Sequence, residues 1–450
     1  MKHSYFSFSF FFFLFSSPQA RSKAHWAFAV CLLSSVFSSF SQTTTNSPYS
    51  IFGVGDLETP AFSSSIAMGN SKYALVFPYS INIANPASYG FLPLPTFDVG
   101  FTSNFLSISY NDSTKKGSGT YFKNMAFAFP VSKRWWASSF GIVPYSKMGY
   151  NISSTDSIIN FGTVNYTYKG SGGVNRFFIG NAFNLLKDSI HQFSLGVNIS
   201  YLFGTLEKIS RVMPEASLLA YNTKTQSAVT VGDFFIDAGA IYSRKINNNW
   251  NVSAGGDYEF ATKLNATNSI LTESYTGSGL DEDIKDTIAL DTVSESINLP
   301  SKIGVGISVF YKNQWLFSTD YSLQDWTQFN YFGKNSGLAK QQQFSFGIQY
   351  NYNAKERENI FKMMWYRTGF RYANTPLVLK NDQLKEYGIT FGVGIPMGEK
   401  SKGSFNLSLE TGIRGENKNG LAREQFTNII FGFSFTPSYY DRWFVKPKID

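Results

Sequence analysis

The amino-acid sequence predicts an all-β protein, a transmembrane antiparallel β-barrel of about fourteen strands with an N-terminal hatch in its lumen. Three observations predict this fold. Apolar and polar residues alternate over many segments. Aromatic residues make up 18% of the chain against 16% charged residues, yet no apolar run is long enough for a membrane helix. The connections between alternating segments are short and long in turn, as in outer-membrane barrels.

The segment His191–Gly204 shows the alternation most clearly. Its odd-numbered positions from 193 to 203 are apolar, and its even-numbered positions are small or polar except for Leu202. Successive side chains of a strand point to opposite faces, so the segment has one apolar face and one polar face. About 9–11 such residues cross a bilayer when the strand is tilted. We therefore interpret this segment as a membrane strand.

Residues 1–41 are predicted to be a signal segment rather than part of the fold. Arg21 and Lys23 precede an apolar stretch over residues 26–37, and small residues precede a cut before Gln42. A lipoprotein cut before Cys31 is the alternative, although the residues ahead of Cys31 fit such a site poorly.

Composition excludes several classes of function. Cys31 is the only cysteine, so a chain that begins at Gln42 forms no disulfide and no thiolate metal site. The net charge of +8 is spread along the chain without a basic run, and we expect no nucleic acid partner. His191 is the only histidine after residue 41, and no nucleophile motif accompanies it. The sequence therefore predicts no catalytic residue, no metal site, no cofactor and no enzymatic activity.

Residues 42–96 are predicted to form the hatch, or plug. Glycine and proline interrupt this region and exclude long strands. Its apolar residues Phe52, Leu75, Val76 and Phe77 are interpreted either as the lining of a ligand pocket or as ordinary plug packing. A disordered leader is the alternative, but it would carry fewer residues of the buried type.

Residues 97–436 are predicted to form the barrel and residues 437–450 a periplasmic tail. The fourteen strands are predicted near 97–110, 120–130, 135–149, 172–185, 191–204, 229–243, 249–261, 300–311, 315–327, 342–353, 363–373, 385–396, 404–413 and 425–436. The longest external loops are predicted at 205–228 and 262–299. Residues 158–168 are interpreted as an external hairpin extension, because a fifteenth strand would break the even parity.

Tryptophans are predicted to mark the two membrane interfaces. Those near the starts of upward strands are Trp135, Trp136, Trp250, Trp315 and Trp365. Trp326 falls at the outer end of the ninth predicted strand. Amphipathic rings are typical of interfacial girdles, so this clustering favours a barrel over a soluble sandwich.

Several stretches, in their order along the chain, resemble the FadL-type outer-membrane transporter family in its Bacteroidetes form. Asn85-Pro86-Ala87 within NIANPASY resembles the Asn-Pro-Ala element of that family's hatch, although Ser88 stands where the family often has glycine. The other similar stretches are GSGGVNRFFIG, SLGVNISYLFG, LPSKIGVGISV, LQDW, YGITFGVGIPMG, the opening NSPYSIFGVGDL and the closing DRWFVKPKID. The resemblance covers most of the mature chain and implies a fourteen-stranded barrel, a hatch and a route for hydrophobic molecules.

The resemblance also implies a function and its setting. We expect passive uptake of small hydrophobic compounds, such as long-chain fatty acids, across the outer membrane of a Gram-negative bacterium. The expected partners are outer-membrane lipid, a small hydrophobic ligand and the barrel-assembly machinery, with the protein acting as a monomer. The alternatives are a protein-binding scaffold or shuttle, like a similar barrel in type IX secretion, and a surface adhesin that uses the two long external loops.

Pro144 is the candidate lateral gate. It lies in the third predicted strand, and proline has no N–H to give to the ladder. In the resembled family a kink in the third strand opens the barrel wall, so that an apolar ligand leaves sideways into lipid. The alternative is that Pro144 lies at the outer rim, where an unpaired backbone costs little.

Charged residues on the polar faces of the predicted strands are the remaining site candidates. They are Asp257, Glu259, Lys302, Arg367, Arg371 and Glu410. We interpret them as an internal ion-pair network that supports the plug. The alternative is a carboxylate-binding site, since arginine pairs bidentately with carboxylates.

Overall fold

The computed structural model describes residues 45–132, 135–159, 162–215, 221–277, 281–352, 359–397, 402–418 and 421–437. The predicted signal segment and almost all of the predicted tail lie outside these residues. None of the helices in the described part of the chain is long and apolar enough to cross a membrane.

Strands dominate the described residues, and we number them in chain order. The strands of the first half are β1 (Asp56–Leu57), β2 (Thr96–Tyr110), β3 (Ser113–Ser132), β4 (Trp136–Lys147), β5 (Tyr150–Ile158), β6 (Gly162–Lys187), β7 (His191–Pro214), β8 (Asn222–Lys245), β9 (Trp250–Glu259) and β10 (Thr262–Thr276). Those of the second half are β11 (Asp283–Leu299), β12 (Lys302–Tyr311), β13 (Trp315–Asp325), β14 (Asn330–Tyr331), β15 (Lys334–Asn335), β16 (Lys340–Asn351), β17 (Trp365–Leu379), β18 (Asp382–Pro396), β19 (Ser404–Arg414) and β20 (Arg423–Phe435). Short helical turns lie at Pro48–Ile51, Ser63–Ile66, Pro86–Phe91, Trp326–Gln328 and Ile360–Met363.

These strands form a closed antiparallel barrel of fourteen wall strands, as the sequence predicts. Three wall strands are each built from two consecutive pieces, namely β4 with β5, β9 with β10, and β11 with β12, because each pair shares its ladder partners. The short strands β1, β14 and β15 are additions to the wall. Pairing of β2 with β20 closes the cylinder.

The two faces of the wall follow the alternation of the sequence. In β7, Ile199 is 51% exposed whereas its neighbour Ser200 is 1% exposed, and the same alternation runs from Ser194 to Leu202. The apolar side chains point outward to lipid, and the small polar ones point into the lumen. The prediction made from His191–Gly204 is confirmed.

The prediction of two long external loops, at 205–228 and 262–299, is wrong. Residues 205–214 and 222–228 extend β7 and β8, and residues 262–276 and 283–299 form β10 and β11, so the described parts of both regions are paired strands that rise on the external side. Thr205 pairs across the strands with Thr230, and Thr225 with Thr272, through their hydroxyl groups. β-branched residues without an apolar face still form ladders when neighbouring strands are present, and such neighbours cannot be read from a local pattern. Within the region 158–168, Ile158 ends β5 and residues 162–168 belong to β6, and these two strands pair as an external hairpin extension, as expected.

Trp326 departs from its prediction. It is 2% exposed and lies in the helical turn after β13, where its ring packs on Phe329 and its Nε1 donates to Oε1 of Gln341 at 3.0 Å. This turn directs the ring inward, so Trp326 is not an interfacial residue. Trp136, Trp250, Trp315 and Trp365 do begin strands at the end of the barrel that carries the short turns.

Candidate functional site

The N-terminal segment, residues 45–95, crosses the lumen from end to end. Tyr49 donates its hydroxyl hydrogen to the carbonyl oxygen of Ala422, beside the external end of β20. At the other end, Asn184 donates to the carbonyl oxygen of Gly90 at 2.9 Å, close to the short turn between β6 and β7. Most residues between these points are buried. The segment therefore occupies the space through which any solute would have to pass.

The Asn85-Pro86-Ala87 element holds this segment to the wall. The Asn85 side chain caps the turn Pro86–Phe91, because its Oδ1 accepts from the N–H of Ala87 at 3.1 Å. Its Nδ2 donates to the carbonyl oxygens of Tyr73, Ala240 and Gly256 at 2.7, 3.2 and 3.1 Å. One fully buried amide thus joins two parts of the segment to β8 and β9.

Glycines on the inner wall make room for the segment. A Cβ at Gly196 would lie 2.3 Å from the carbonyl carbon of Pro86, and one at Gly255 would lie 2.2 Å from the carbonyl oxygen of Tyr73. Across the lumen, a Cβ at Gly347 would lie 2.4 Å from the carbonyl oxygen of Met68. Backbone lies against backbone at each of these points, which only a residue without a side chain allows. The seat of the segment is therefore built into several strands.

Two inward carboxylates that the sequence analysis missed bind the backbone of the segment. Asp320 on β13 accepts from the N–H groups of Lys72 and Tyr73, the latter at 2.9 Å. Asp98 on β2 accepts from the N–H of Ile81. Both residues fall on the polar face of their strands, so the alternation could have found them. Such charge-assisted bonds are stronger than neutral ones and satisfy backbone that has no ladder partner.

The predicted apolar pocket residues do not meet in one place. Phe52 lines a cavity of about 190 Å³ at the external end, together with charged residues such as Glu58 and Arg371. Leu75 is fully buried against Met68 and Leu316, and Phe77 packs at the edge of that cluster. Val76 is half-buried next to them. Phe52 is therefore separated from the other three, and the cavity beside it has a mixed polar and apolar lining.

The predicted lumen charges are buried, apart from the half-buried Lys302, and fall into separate groups. Lys302 Nζ lies 2.9 Å from Glu259 Oε1, with Asp257 on the same strand as Glu259. Arg371 Nη2 lies 2.7 Å from Glu410 and 2.7 Å from Glu386. These contacts favour the interpretation of the charges as ion pairs. Their role in supporting the plug stays a prediction.

Arg367 differs from the other charged residues in its partners. It donates to Gln349 Oε1 and Asn406 Oδ1, both at 2.7 Å, and its guanidinium lies 5.9 Å from the Phe77 ring. The sequence analysis also missed Arg176 and Asp237, which form an ion pair between β6 and β8 with exposures of 4% and 2%. Both residues occupy inward-facing positions of their strands, so the same two-residue alternation could have identified them.

Pro144 lies inside a ladder rather than at its outer end. It pairs with Asn175 of β6, and the register between β4 and β6 shifts directly after it. On its other side, β4 pairs with β3 only between Trp136 and Ile142. Beyond that point β3 pairs with β2 alone over Ser113–Asn124. The wall is therefore split between β3 and β4 on the external side of Ile142, and we name this gap the wall seam.

The N-terminal segment covers the wall seam. Strand β1 pairs with the free side of β4, with Asp56 opposite Lys147 and Leu57 opposite Ser146. The N–H of Glu58 then donates to the carbonyl oxygen of Tyr145 at 2.9 Å. A small cavity of about 40 Å³ remains beside Pro144. The two-residue strand β1 therefore fills the seam.

Glu58 joins the two sides of the seam, and we name Glu58, Lys123, Lys147 and Tyr121 the latch. Its carboxylate contacts Lys123 of β3, lies 2.5 Å from Lys147 of β4, and accepts from the Tyr121 hydroxyl at 3.1 Å. Burial alone would raise the pKa of the Glu58 carboxyl, but Lys123 and Lys147 outweigh it and hold that pKa below its usual range. No local pattern marks Glu58, so sequence reasoning missed it.

The latch is expected to stay ionised as the pH falls from neutral to about pH 5. A carboxyl whose pKa is lowered on folding stabilises the fold above its unfolded value, about 4.3, and loses this contribution as pH falls toward its folded value. The difference in unfolding free energy between the protein and Glu58→Gln should therefore be constant above about pH 5 and shrink below about pH 4. Urea titrations at a series of pH values measure it. A difference that already declines near neutral pH would contradict the ionised latch.

Comparison with solved structures shows that the chain shares the fold of FadL-type barrels. A Pseudomonas aeruginosa FadL homologue aligns with a TM-score of 0.57 and 13% identity over 86% of this chain and 100% of its own. The Ralstonia pickettii toluene transporter TbuX aligns at 0.54 and 15% over 84% and 99%. The Pseudomonas putida toluene transporter TodX aligns at 0.55 and 16% over 86% and 100%. No curated protein matches the chain significantly.

A match to a protein-family model identifies the family. The family model described as BamG covers residues 24–450, so the chain belongs to the BamG family. Its closed barrel with an apolar outer face makes it an integral protein of the Gram-negative outer membrane, and the predicted FadL-type architecture is confirmed.

Proposed function

We propose that the chain conducts small hydrophobic compounds across the outer membrane and releases them sideways through the wall seam. The observation that carries this proposal is the interrupted pairing of β3 and β4 next to Pro144. The N-terminal segment is the hatch and blocks the route along the barrel axis. Passage through the seam requires the smaller rearrangement of this segment. Two barrels of the same fold are described as toluene transporters, which supports the class of cargo.

The size of the cavity favours a small compound over a long-chain fatty acid. The external cavity of about 190 Å³ is smaller than the roughly 300–1,000 Å³ of sites that hold drug-sized ligands. Its lining includes Phe52 and Leu57 as well as the latch residue Glu58, so a ligand there would lie directly against the seam. Displacement of β1 would then open the way into lipid.

A disulfide across the seam tests this proposal. Leu57 and Ser146 are ladder partners, and antiparallel partners lie about 4.5–5.5 Å apart at Cα, within the range of a disulfide. The double variant Leu57→Cys/Ser146→Cys should form the bond cleanly, because Cys31 is the only natural cysteine. Oxidised cells expressing it should take up radiolabelled toluene several-fold more slowly than cells with the natural chain. Reduction should restore the rate.

The controls separate a closed seam from a damaged barrel. Each single variant, Leu57→Cys and Ser146→Cys, should transport normally under oxidation. Labelled palmitate run in parallel distinguishes a small-compound channel from a fatty-acid channel. Equal toluene uptake by the oxidised and reduced double variant would overturn lateral release, and no uptake of either probe by the natural chain would overturn the channel.

A further inference from the structure

Strand β11 forms an open edge on the external side of the barrel. It pairs with β10 over its whole length, but on its other side it meets only β14, at Ile297 and Asn298. Among the described residues, the stretch from Asp283 to Ser296 therefore has no second neighbour. All of its side chains up to Glu295 are exposed on both faces of the strand. This is the edge of a sheet that rises above the closed wall.

The raised sheet lies outside the membrane. The β10–β11 hairpin is at the end of the barrel opposite to the short turns, and the longer connections of outer-membrane barrels are external. Acidic residues lie on one face of β11, because Asp286 and Asp291 both pair with even-numbered residues of β10. The edge is therefore presented to the outside of the cell.

Only part of this edge is suited to pairing. The register with β10 is regular from Leu299 to Ala289 and then shifts near Ile288 and again near Lys285. Such bulges protect a strand edge from further pairing. The regular part, Ala289–Ser296, has no bulge or proline and is about 26 Å long. An edge of this length without a bulge or proline can serve as a template for a strand that matches its charges.

The side chains of this regular edge indicate the chemistry of a partner. Leu290 is 74% exposed and Val293 39%, so both apolar side chains are accessible to a partner. Asp291 and Glu295 lie on the same face as Val293, in an acidic–apolar–acidic order. No ion pair neutralises them among the described residues, whereas Lys285 near the tip is paired with Asp283. Cross-strand pairs of opposite charge stabilise a sheet and like charges destabilise it.

We propose that the β11 edge, Ala289–Ser296, binds an extended segment of another protein in which lysine or arginine alternates with apolar residues. The segment adds to the raised sheet as a further strand, with main-chain hydrogen bonds for affinity and alternate side chains for specificity. Two copies of this chain are disfavoured there, because antiparallel pairing would set Asp291 and Glu295 of one copy against those of the other. This partner surface is separate from the lumen and goes beyond the proposed channel function.

Strand β5 offers a matched edge for comparison. It pairs with β6 alone in the β5–β6 hairpin and also rises above the wall. Its exposed residues around Thr155 are mostly serine and threonine, without the acidic and apolar alternation of β11. A photoreactive residue at Thr155 should therefore yield no adduct under conditions in which one at Leu290 does.

The experiment introduces p-benzoylphenylalanine at Leu290 or Thr155 of the full chain, expressed in its own host. After irradiation, the cross-linked peptide is mapped by mass spectrometry. We expect one adduct from Leu290, on a segment with alternating basic and apolar residues. A synthetic peptide of that segment should bind the purified barrel. Asp291→Lys/Glu295→Lys should lower both cross-linking and peptide affinity at least tenfold.

The double variant Asp112→Lys/Asp382→Lys controls for the change in net charge. It makes the same change of charge at exposed external turns away from β11. This control should cross-link as the natural chain does. The proposal is overturned by an adduct to a second copy of the chain, by an adduct to lipopolysaccharide alone, by adducts that survive charge reversal at β11, or by the absence of any adduct from Leu290.

Discussion

Replacing Gly255 with alanine is expected to unseat the N-terminal segment, whereas replacing its neighbour Gly256 is not. An alanine Cβ at 255 would lie 2.2 Å from the Tyr73 carbonyl oxygen and 3.1 Å from the Ala74 Cα, so backbone would have to move. A Cβ at 256 meets its nearest atom, the Gly304 carbonyl oxygen, at 3.4 Å, an ordinary contact. Overpacking of this kind costs about 1–3 kcal/mol. The population with the segment released should rise roughly tenfold or more.

Trypsin measures this release directly. Lys72 is the only lysine or arginine between residues 45 and 95, and it is 3% exposed. Cleavage after Lys72 should therefore be slow in the natural chain and in Gly256→Ala, and at least tenfold faster in Gly255→Ala. Equal cleavage rates in the two variants would contradict a seat built from glycine. Heat modifiability on a gel confirms that both variants keep the closed barrel.

Replacing Arg176 with methionine is expected to give the largest loss of stability among single changes in the wall. The guanidinium contacts Asp237 and donates through Nε to Ser200 at 2.8 Å, while Asp237 also accepts from Asn198 at 2.8 Å. Removing the cation leaves a buried carboxylate without its counter-charge. Loss of one partner of a buried ion pair costs about 3–5 kcal/mol. Urea unfolding of the barrel in lipid vesicles measures the change.

The second partner provides the control for this variant. Arg176→Met/Asp237→Asn removes the uncompensated charge but keeps an amide that can still accept from Asn198. The double variant is therefore expected to be more stable than Arg176→Met alone, despite carrying one more substitution. A double variant as unstable as the single one would show that lost packing, and not the unpaired charge, accounts for the effect.

The two proposals concern separate surfaces of the barrel. The wall seam and its latch concern a compound that moves from the lumen into lipid. The β11 edge concerns a protein at the cell exterior. A variant of one surface should leave the other unchanged, so Leu57→Cys/Ser146→Cys should still cross-link from Leu290, and Asp291→Lys/Glu295→Lys should still transport.

Sequence reasoning predicted the wall and many inward residues but not their partners. The inward position of Arg371 and Glu410 follows from two-residue alternation, and so does the outward position of Ile199. The paired strands over 205–214, 222–228, 262–276 and 283–299 were missed because threonine and serine give no apolar face, although they pair well once flanked by strands. Trp326 was misplaced because a helical turn after β13 breaks the alternation.

By itself, the sequence determined a cylinder with an apolar outside, since side chains of a strand alternate whatever surrounds them. The cap at Asn85 is likewise local, because its Oδ1 accepts from the N–H of Ala87 two residues further on. Only the tertiary structure decided that Glu58 bridges Lys123 and Lys147, residues 65 and 89 positions away, and that the wall is split beside them. Contacts between distant parts of a chain depend on how the cylinder closes and on what fills it, and no local pattern of residues encodes that.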